Sequence, residues 1–350
     1  QYSTTIAGNP MTQYSMDEDA SGNFRIVTQN YAWSSGQSQN STELSIISPS
    51  GKVIGKLTGI AKWENFQSAR FIDDRLYLVT FQQIDPLFVI DVANPKSPKI
   101  LGELKIPGYS TYLHPYDSDR LIGLGYDTYT NQWWGTQNGG LKVDLYNVKD
   151  VKNPKQEATL TLGDAGSSAD ALSNPRAFVY YKEKNLLLLP ATLMKSAGDK
   201  NDPYRSSSAF QGIVGVSILP SAVTEKFRVS HISFSADLEK EWKKDCAQYT
   251  GGKNSCQKLL DGTEYCGSSY SYVPPYCYAG STVETYFASQ MWNYQRDFIT
   301  RALYVGDTLY SVAEGGIKSW NFANTASPKA SVIFTGTVSK PIYPVPMMVR

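Results

Sequence analysis

The sequence has 350 residues, of which 41% are hydrophobic and 19% charged, and Lys plus Arg exceed Asp plus Glu by one. A nearly neutral chain lacks the basic excess that nucleic-acid binding requires, and no apolar run approaches the ~20 residues of a membrane-spanning helix. The 24 Tyr and 27 Gly among few charges favour strands and turns over helical bundles.

The stretch from Ser68 to Gly108 predicts one complete unit of four short strands. Its apolar runs are SARFI, RLYLVTF, LFVIDV and KILGELKI, separated by DD, QQIDP and ANPKSP. These separators favour turns, because Pro fixes φ and the side chains of Asp and Asn bond to nearby backbone. No helix of ordinary length fits between them.

The rest of the chain repeats this unit with variations. Residues 2–8 predict a lone strand, and residues 13–60 predict a first unit with a hairpin turning at Pro49-Ser50-Gly51. A third unit starts at Tyr109 and is interrupted by the loop TYTNQWWGTQNGG. A fourth starts near Ser167, and a fifth near Asp297 runs into a C-terminal tail.

The repeats align at the second strand and at the exit of the third strand. The second strands are RLYLVT, RLIGLG, NLLLLP and TLYSVA, and N-P or S-P-K follows several third strands. Roughly five units with a period of ~40–50 residues predict an all-β fold, a β-propeller of about five four-stranded antiparallel blades. A β-sandwich, the competing fold, lacks this repetition. The lone strand at 2–8 would close the ring or end an earlier blade.

Four cysteines define the domain organisation and the compartment. Zinc sites use closely spaced cysteine pairs or nearby histidines, whereas these cysteines are about ten residues apart and far from both histidines. Two disulfides fit better and indicate an oxidising compartment, with three pairings left open. We interpret residues 1–236 as the lone strand and four blades, 237–290 as a Cys- and Tyr-rich insertion, and 291–350 as the last blade and tail. The cysteines are Cys246, Cys256, Cys266 and Cys277.

Several segments carry a resemblance to a known family. They are QYSMDED (13–19), residues 68–117, GLKVDLYNVKDVKNP (140–154), RVSHI (228–232) and ITRALYVGDTLYSV (299–312). The chain resembles the secreted bacterial and archaeal β-propeller domain proteins, which are distantly related to WD-type repeat propellers. The resemblance implies export and a place at or near the cell surface. It also implies that this chain is the C-terminal portion of a larger propeller, completed by N-terminal blades of the same protein or by another chain, and it supplies no catalytic residues.

Few side chains are candidates for catalysis or metal binding. His114 and His231 lie inside blade patterns, where histidines more often pack than catalyse, and no GxSxG nucleophile elbow is present. Asp17 and Asp19 lie in the densest acidic run and predict a structural calcium site, against the alternative of solvated turn carboxylates. Apart from that ion we expect no cofactor.

Arginines and aromatic side chains offer the better candidates for binding. Arg70, Arg176 and Arg301 fall at or near innermost strands, where they would form a positive throat for an anion unless acids of neighbouring blades pair with them. Two loops concentrate aromatic rings that suit partner binding, unless those rings fold back over the rim. Asn40-Ser41-Thr42 is a glycosylation sequon. The aromatic candidates are Tyr129, Trp133, Trp134, Tyr270, Tyr272 and Tyr276.

We therefore predict a non-enzymatic extracellular or cell-surface propeller that acts as an interaction scaffold. Its rim loops would bind a protein, a glycan or an envelope component. One alternative is a secreted hydrolase or lyase acting on polysaccharide at the channel mouth, and another is a self-assembling structural subunit. Carboxylates converging at the channel would favour the enzyme, and exposed aromatic loops without them would favour the scaffold.

Overall fold

Five antiparallel sheets follow one another along the chain in a computed structural model of the protein. In each sheet the strands are paired in the order in which they occur along the chain, so every sheet is a meander that we call a blade. The structure describes residues 2–31, 33–34, 37–38, 40–82, 85–131, 135–196, 201, 206–232, 236–247, 256–258, 264–266, 277, 283, 286 and 296–334.

The strands of the five blades have the following bounds. Blade 1 contains Met16–Glu18, Phe24–Asn30, Ser41–Ile47 and Val53–Ile60. Blade 2 contains Asn65–Ile72, Arg75–Phe81, Asp85–Asp91 and Lys99–Ile106. Blade 3 contains Tyr109–Pro115, Arg120–Asn131, Gly135–Asn147 and Lys155–Leu162. Blade 4 contains Ser168–Ala169 and Val179–Tyr181 as its first edge, then Leu186–Ser196, Ser206–Leu219 and Ala222–Val229. Blade 5 contains Ile299–Val305, Thr308–Ala313, Gly316–Asn321 and Ala330–Ile333.

Short elements accompany the blades. Four 3₁₀ turns and one α-helix occur among the described residues, together with two short two-stranded ribbons. The 3₁₀ turns are Gln13–Ser15, Asp170–Leu172, Pro175–Ala177 and Lys182–Lys184, and the helix is Ala236–Cys246. The ribbons pair Trp33–Ser34 with Gln37–Ser38 and Cys256–Lys258 with Glu264–Cys266.

The exit of the third strand shows why the sequence repeat produces a structural repeat. In blades 2, 3 and 5 the side chain of Asp91, Asn147 or Asn321 accepts a hydrogen bond from the backbone N–H two residues on, at 3.0, 2.9 and 2.8 Å. Such a turn redirects the chain into the fourth strand without a long loop. The predicted propeller of five four-stranded blades is confirmed.

Two local predictions were wrong. Residues 2–8 form no strand, and the adjacent Asn9 makes only an isolated bridge to Gln29, because the 3₁₀ turn and the strand Met16–Glu18 fill the inner position of blade 1. The predicted loop TYTNQWWGTQNGG is mostly a hairpin extension, since its strands stay paired out to Asn131 and Gly135. A segment of polar and aromatic residues can form a strand when another strand is available to pair with it.

Adjacent blades share apolar cores. One core joins blades 1 and 2, a second blades 2 and 3, a third blades 3 and 4, and a fourth blades 4 and 5. Leu188, on the face of blade 4 that meets blade 5, is completely buried. No apolar core of described residues joins blade 5 to blade 1.

Buried polar groups also connect the blades. The Gln29 side-chain oxygen of blade 1 accepts a bond from Phe66 N of blade 2, and Ser68 Oγ of blade 2 donates to Ser110 O of blade 3 at 2.8 Å. Gln211 Nε2 of blade 4 donates to Ile299 O of blade 5 at 3.0 Å, and its Oε1 accepts from Ile299 N at 3.0 Å. These bonds satisfy backbone groups that inter-blade burial would otherwise leave unpaired.

A buried ion pair lies between blades 2 and 3. Lys142 Nζ is 3.1 Å from Asp144 Oδ2, and their side chains are 4% and 0% exposed. The same ammonium donates to Pro107 O at 2.6 Å, and Asp144 accepts from Tyr146 Oη at 2.8 Å and from Gln156 Nε2 at 2.7 Å. The pair is tolerated because neighbouring groups satisfy both charges.

Candidate functional site

A cavity of about 330 Å³ lies where the inner edges of blades 1 to 4 meet. The segment that leads into blade 1, the first strands of blades 2 and 3, and the broken inner edge of blade 4 each contribute to its wall. The described lining residues are Met11, Thr12, Gln13, Tyr14, Ser68, Ala69, Thr111, Tyr112, Leu113, Leu172, Ser173, Asn174, Pro175 and Arg176.

The wall contributed by blade 4 results from a local break in its first strand. Asn174 caps a 3₁₀ turn by accepting a bond from Arg176 N at 3.2 Å, and Pro175 occupies the first position of that turn. Proline suits this position because it lacks an N–H and has a preset φ. The break projects residues 172–176 into the cavity instead of continuing the ladder.

An arginine and two tyrosines form the densest cluster near the cavity. The guanidinium carbon of Arg70 lies 4.5 Å from the centre of the Tyr14 ring, a cation–π geometry. The Tyr14 and Tyr112 rings meet edge to face at 5.5 Å. Arg70 makes no ion pair in the described structure, and its Nη1 is buried without a hydrogen-bond partner. Burial raises the pKa of Tyr112, so this phenol stays protonated at neutral pH.

His114 lies behind Tyr112 and is held neutral. The Tyr112 hydroxyl lies 3.3 Å from His114 Nδ1, and the imidazole packs on Phe178 with ring centres 4.8 Å apart. Burial, and secondarily the charge of Arg70, lower the pKa of His114 to about 4. The geometry is that of a packing histidine, because no carboxylate orients the ring.

The cavity is electropositive. Arg176 is the one charged side chain among its described lining residues, and no carboxylate lies there. Of the three arginines considered for a positive throat, only Arg301 faces an acid, with Asp170 at 4.0 Å. Burial raises the pKa of Asp170, against the opposing effect of Arg301. The structure thus places Arg176 in the lining of the cavity and Arg70 behind it, against the lining residue Tyr14, while Arg301 lies outside the lining.

The two aspartates predicted to bind calcium are engaged by the chain's own donors. Asp17 forms an ion pair with Arg25. Asp19 Oδ1 accepts from Ser21 N and from Asn23 N, each at 2.9 Å, and Asn23 Nδ2 donates to Oδ2. Burial alone would raise the pKa of Asp19, but the bonds from Asn23 and Ser21 outweigh it and lower that pKa. The calcium site stays a prediction.

His231 contacts a serine, but the arrangement does not generate a nucleophile. Ser311 Oγ accepts from Trp320 Nε1 at 2.8 Å and donates to Lys318 O at 3.2 Å. His231 Nε2 lies 2.8 Å from Ser311 Oγ, and the direction of the bond between them depends on the tautomer of the ring. Burial, with help from Lys318, lowers the pKa of His231 to about 4. Ser311 is completely buried, and no carboxylate of the described residues bonds to His231, so the pair lacks both access for a substrate and the group that orients a catalytic histidine.

Most of the aromatic residues predicted to bind a partner lie outside the described residues. Tyr129 is half-buried on the hairpin extension of blade 3, opposite Gln137. Asn40, of the predicted sequon, donates through its Nδ2 to Asn65 Oδ1 at 2.8 Å. The predicted residues outside the described part are Trp133, Trp134, Tyr270, Tyr272 and Tyr276.

The insertion contains a disulfide and a helix. Cys246 and Cys277 are bonded, with Cα atoms 5.3 Å apart, which confirms the predicted disulfide chemistry. Cys256 and Cys266 stand opposite each other in the register of their ribbon, the arrangement that a second bridge between them requires. The helix was not predicted, although Trp242 and Cys246, both buried, have the spacing of four that indicates a helical face.

The described residues contain neither a metal-binding cluster nor a membrane-spanning helix. They contain no group of three or more His, Cys, Asp or Glu side chains placed to hold a metal ion. Among the same residues, no helix is both long and apolar enough to span a bilayer.

The cavity was only partly visible in the sequence. The arginines were identified from their places near inner strands, whereas Tyr14, Tyr112 and the turn around Asn174 were missed. The turn had a local signal, because Asn before Pro is a common start for a helical turn. The contact between Tyr14 and Arg70 has no local signal, since different blades contribute the two residues.

Comparisons with known proteins agree with this architecture. The chain is 38% identical over 186 residues to an uncharacterized protein of Methanocaldococcus jannaschii, a match that covers 53% of this chain and 28% of that protein. It is 33% identical over 187 residues to an uncharacterized protein of Archaeoglobus fulgidus, covering 53% and 27%. The matches thus span less than a third of either relative. Residues 1–260 match the family described as Beta propeller domain, and the chain therefore belongs to that family.

Proposed function

We propose that this chain is a non-enzymatic interaction scaffold, extracellular or at the cell surface, whose main contact is with a further propeller blade. The observation that carries the proposal is the outward face of blade 5, the side turned away from blade 4. There Leu303 and Val305 are 55% and 70% exposed, and Tyr310, Val312 and Ile317 are only partly buried.

Comparison with blade 4 defines what this face lacks. Leu188 and Tyr310 occupy equivalent positions in the second strands of blades 4 and 5. Each lies three residues after a turn residue, Asn185 or Asp307. The carbonyl oxygen of each turn residue accepts a hydrogen bond from a backbone N–H at the end of the third strand of its own blade. Leu188 is buried because blade 5 covers it. No described blade covers Tyr310 at the equivalent position of blade 5. An apolar sheet face of this kind is expected to be covered in the assembled protein.

The occupant that fits best is another four-stranded blade. Four successive interfaces in this chain are built by packing one blade on the next, so a further blade would continue an established geometry. The relatives are more than three times as long as the segments that match, which leaves ample polypeptide to supply such a blade. The Cys246–Cys277 disulfide supports an oxidising location outside the cytosol.

A photo-crosslinking experiment tests this proposal. p-Benzoylphenylalanine replaces Val305 in the protein as its host produces it, and mass spectrometry identifies the crosslinked peptide after irradiation. We expect a peptide with strand-like alternation from polypeptide outside blades 1 to 5. Ile100 is the matched control, because it is 44% exposed on the outer strand of blade 2 and should give no crosslink to such a peptide.

Two outcomes would contradict the proposal. A crosslink from position 305 to residues of blade 1 would mean that the five blades close their own ring. Equal crosslinking from positions 305 and 100 would mean that exposed apolar residues react without a specific interface.

Two other functions remain as alternatives. Partner binding through the rim loops is supported by Tyr129, which the hairpin extension of blade 3 carries beyond the sheet. A polysaccharide hydrolase at the channel is less well supported, because such enzymes need a pair of carboxylates and the described cavity lining holds none.

A further inference from the structure

The cavity between blades 1 and 4 has the size and chemistry of a small-molecule site. Its volume of about 330 Å³ falls within the ~300–1,000 Å³ typical of ligand pockets. We propose that it binds an acidic sugar of the uronic acid type, with the sugar carboxylate paired to Arg176. The proposal involves blades 1 to 4 alone and does not depend on the outward face of blade 5.

Arg176 provides the direct partner for a carboxylate. Its side chain is exposed at the cavity and makes no hydrogen bond or ion pair in the described structure, where only its backbone N–H is bonded. The 3₁₀ turn begun by Asn174 and Pro175 fixes the backbone from which the guanidinium extends. A guanidinium matches the two oxygens of a carboxylate in a bidentate geometry.

Arg70 adds a second positive charge that no acid neutralises. It is half-buried against Tyr14, a lining residue, and lies close enough to His114 to lower that imidazole's pKa. No carboxylate lies within ion-pair distance of Arg70 among the described residues. The cavity therefore has a positive potential before any ligand enters, which attracts an anion.

The uncharged part of the lining suits a hydroxylated ring. The Gln13 side chain has no partner in the described structure, and Asn174 uses its side-chain oxygen for the cap, which leaves its Nδ2 free to donate. Thr12 Oγ1 accepts from Tyr14 N at 3.2 Å and keeps its own proton available. Leu172 and Pro175 supply apolar surface beside these donors.

The charge arrangement selects a carboxylate rather than a phosphate. Phosphate sites gather several cations or a row of backbone N–H groups around a dianion. Here a single guanidinium lines the described cavity, and the second acts through Tyr14 without reaching the lining. One direct pairing partner with several neutral donors matches a monoanion that also carries hydroxyl groups.

Calorimetric titration of the intact chain with galacturonate and galactose tests the proposal. We expect saturable binding of galacturonate with a Kd of about 1 mM or tighter, and galactose binding at least about tenfold weaker. Arg176→Gln should reduce galacturonate affinity about tenfold and leave galactose unchanged. Arg228→Gln is the matched control, because Arg228 pairs with Glu225 on the outer strand of blade 4, outside the cavity lining, and its replacement should leave both affinities unchanged.

Several results would overturn the inference. Equal affinities for galacturonate and galactose, or the absence of saturable galacturonate binding, would exclude an acidic-sugar site. Displacement of galacturonate by acetate at equal concentration would show that the carboxylate alone is recognised. An equal loss in Arg228→Gln and Arg176→Gln would mean that overall charge, not this cavity, controls binding. Unchanged circular dichroism and thermal unfolding of each variant confirm that the fold is intact.

Discussion

Blades 4 and 5 share a fold and a repeat pattern but differ in what covers their outward faces. In blade 4, Leu186, Leu188 and Ile213 are buried against blade 5. In blade 5, the second strand alternates between buried and half-exposed residues, and the fourth strand is exposed throughout. The difference shows that blades 4 and 5 both have two apolar faces. Whether such a face is buried or exposed depends on whether a neighbouring blade packs against it.

The largest effect is expected from the charge network between blades 2 and 3. Asp144→Ala removes the partner of Lys142 and leaves a buried ammonium uncompensated, which should lower the free energy of unfolding by ~3–5 kcal/mol. Glu43→Ala removes an acid from the face of blade 1 turned away from blade 2, where its partner Lys56 is 42% exposed. Although the Glu43 side chain is only 10% exposed, this change should cost about 1 kcal/mol, because the Lys56 ammonium that it leaves behind is solvated.

Urea unfolding monitored by intrinsic fluorescence measures both changes. The contrast fails if Glu43→Ala and Asp144→Ala cost the same, since that result would mean that blade 1 has a covered face equivalent to an internal interface.

A smaller effect is expected from apolar truncation at equivalent positions of blades 4 and 5. Leu188→Ala creates a cavity in a filled core and should cost ~2–5 kcal/mol. Tyr310→Ala, at the matching position on the outward face of blade 5, should cost about 1 kcal/mol because solvent already reaches the ring. The same urea titration measures both variants. A Tyr310→Ala cost as large as that of Leu188→Ala would show that the face is covered in solution.

Lowering the pH weakens a buried interface without any substitution and has the smallest expected effect. His114 packs between blades 3 and 4 with its pKa lowered to about 4 by burial and, to a lesser extent, by Arg70. The unfolded chain binds this proton first, near pH ~6.5, so His114 contributes its full stability above that pH. The contribution is lost as pH falls from ~6.5 to 4, by up to roughly 3 kcal/mol.

Unfolding free energies at several pH values, compared between the wild type and His114→Asn, isolate this contribution. The wild type should lose stability more steeply than the variant between pH ~6.5 and 4. Acids with lowered pKa values, such as Glu157 in its bonds to Arg120 and Asn147, contribute only at lower pH. Parallel curves for the two proteins would show that His114 keeps an ordinary pKa.

The blades could be predicted from the sequence because each is defined by local signals. Asp91, Asn147 and Asn321 end their strands through bonds within two residues, so short sequence motifs are sufficient. Residues 2–8 have strand-like composition, but a strand also needs a partner edge, which composition does not reveal. The exposed face of blade 5 was likewise invisible, since Tyr310 and Val312 follow the same alternation as their buried equivalents in blade 4.

The cavity shows the same limit at the level of single side chains. The sequence indicated that Arg70 and Arg176 lie near the axis, because position within a blade is a local property. Whether an arginine meets an acid, a ring or a ligand depends on which blades stand side by side. Arg301 lies near Asp170 and Arg70 packs on the Tyr14 ring, and neither contact can be predicted from spacing along the chain.

Gln211 has a consequence for how this protein can change over evolution. Its backbone oxygen accepts from Ser230 Oγ at 2.6 Å, where the chain leaves blade 4, and its side chain holds both backbone groups of Ile299, where the chain enters blade 5. The two ends of the intervening stretch are therefore clamped to one residue. The entropy of closing a loop grows only slowly with its length once the ends are fixed together. We therefore expect insertions or deletions within residues 231–298 to change the stability of the blades on either side only slightly.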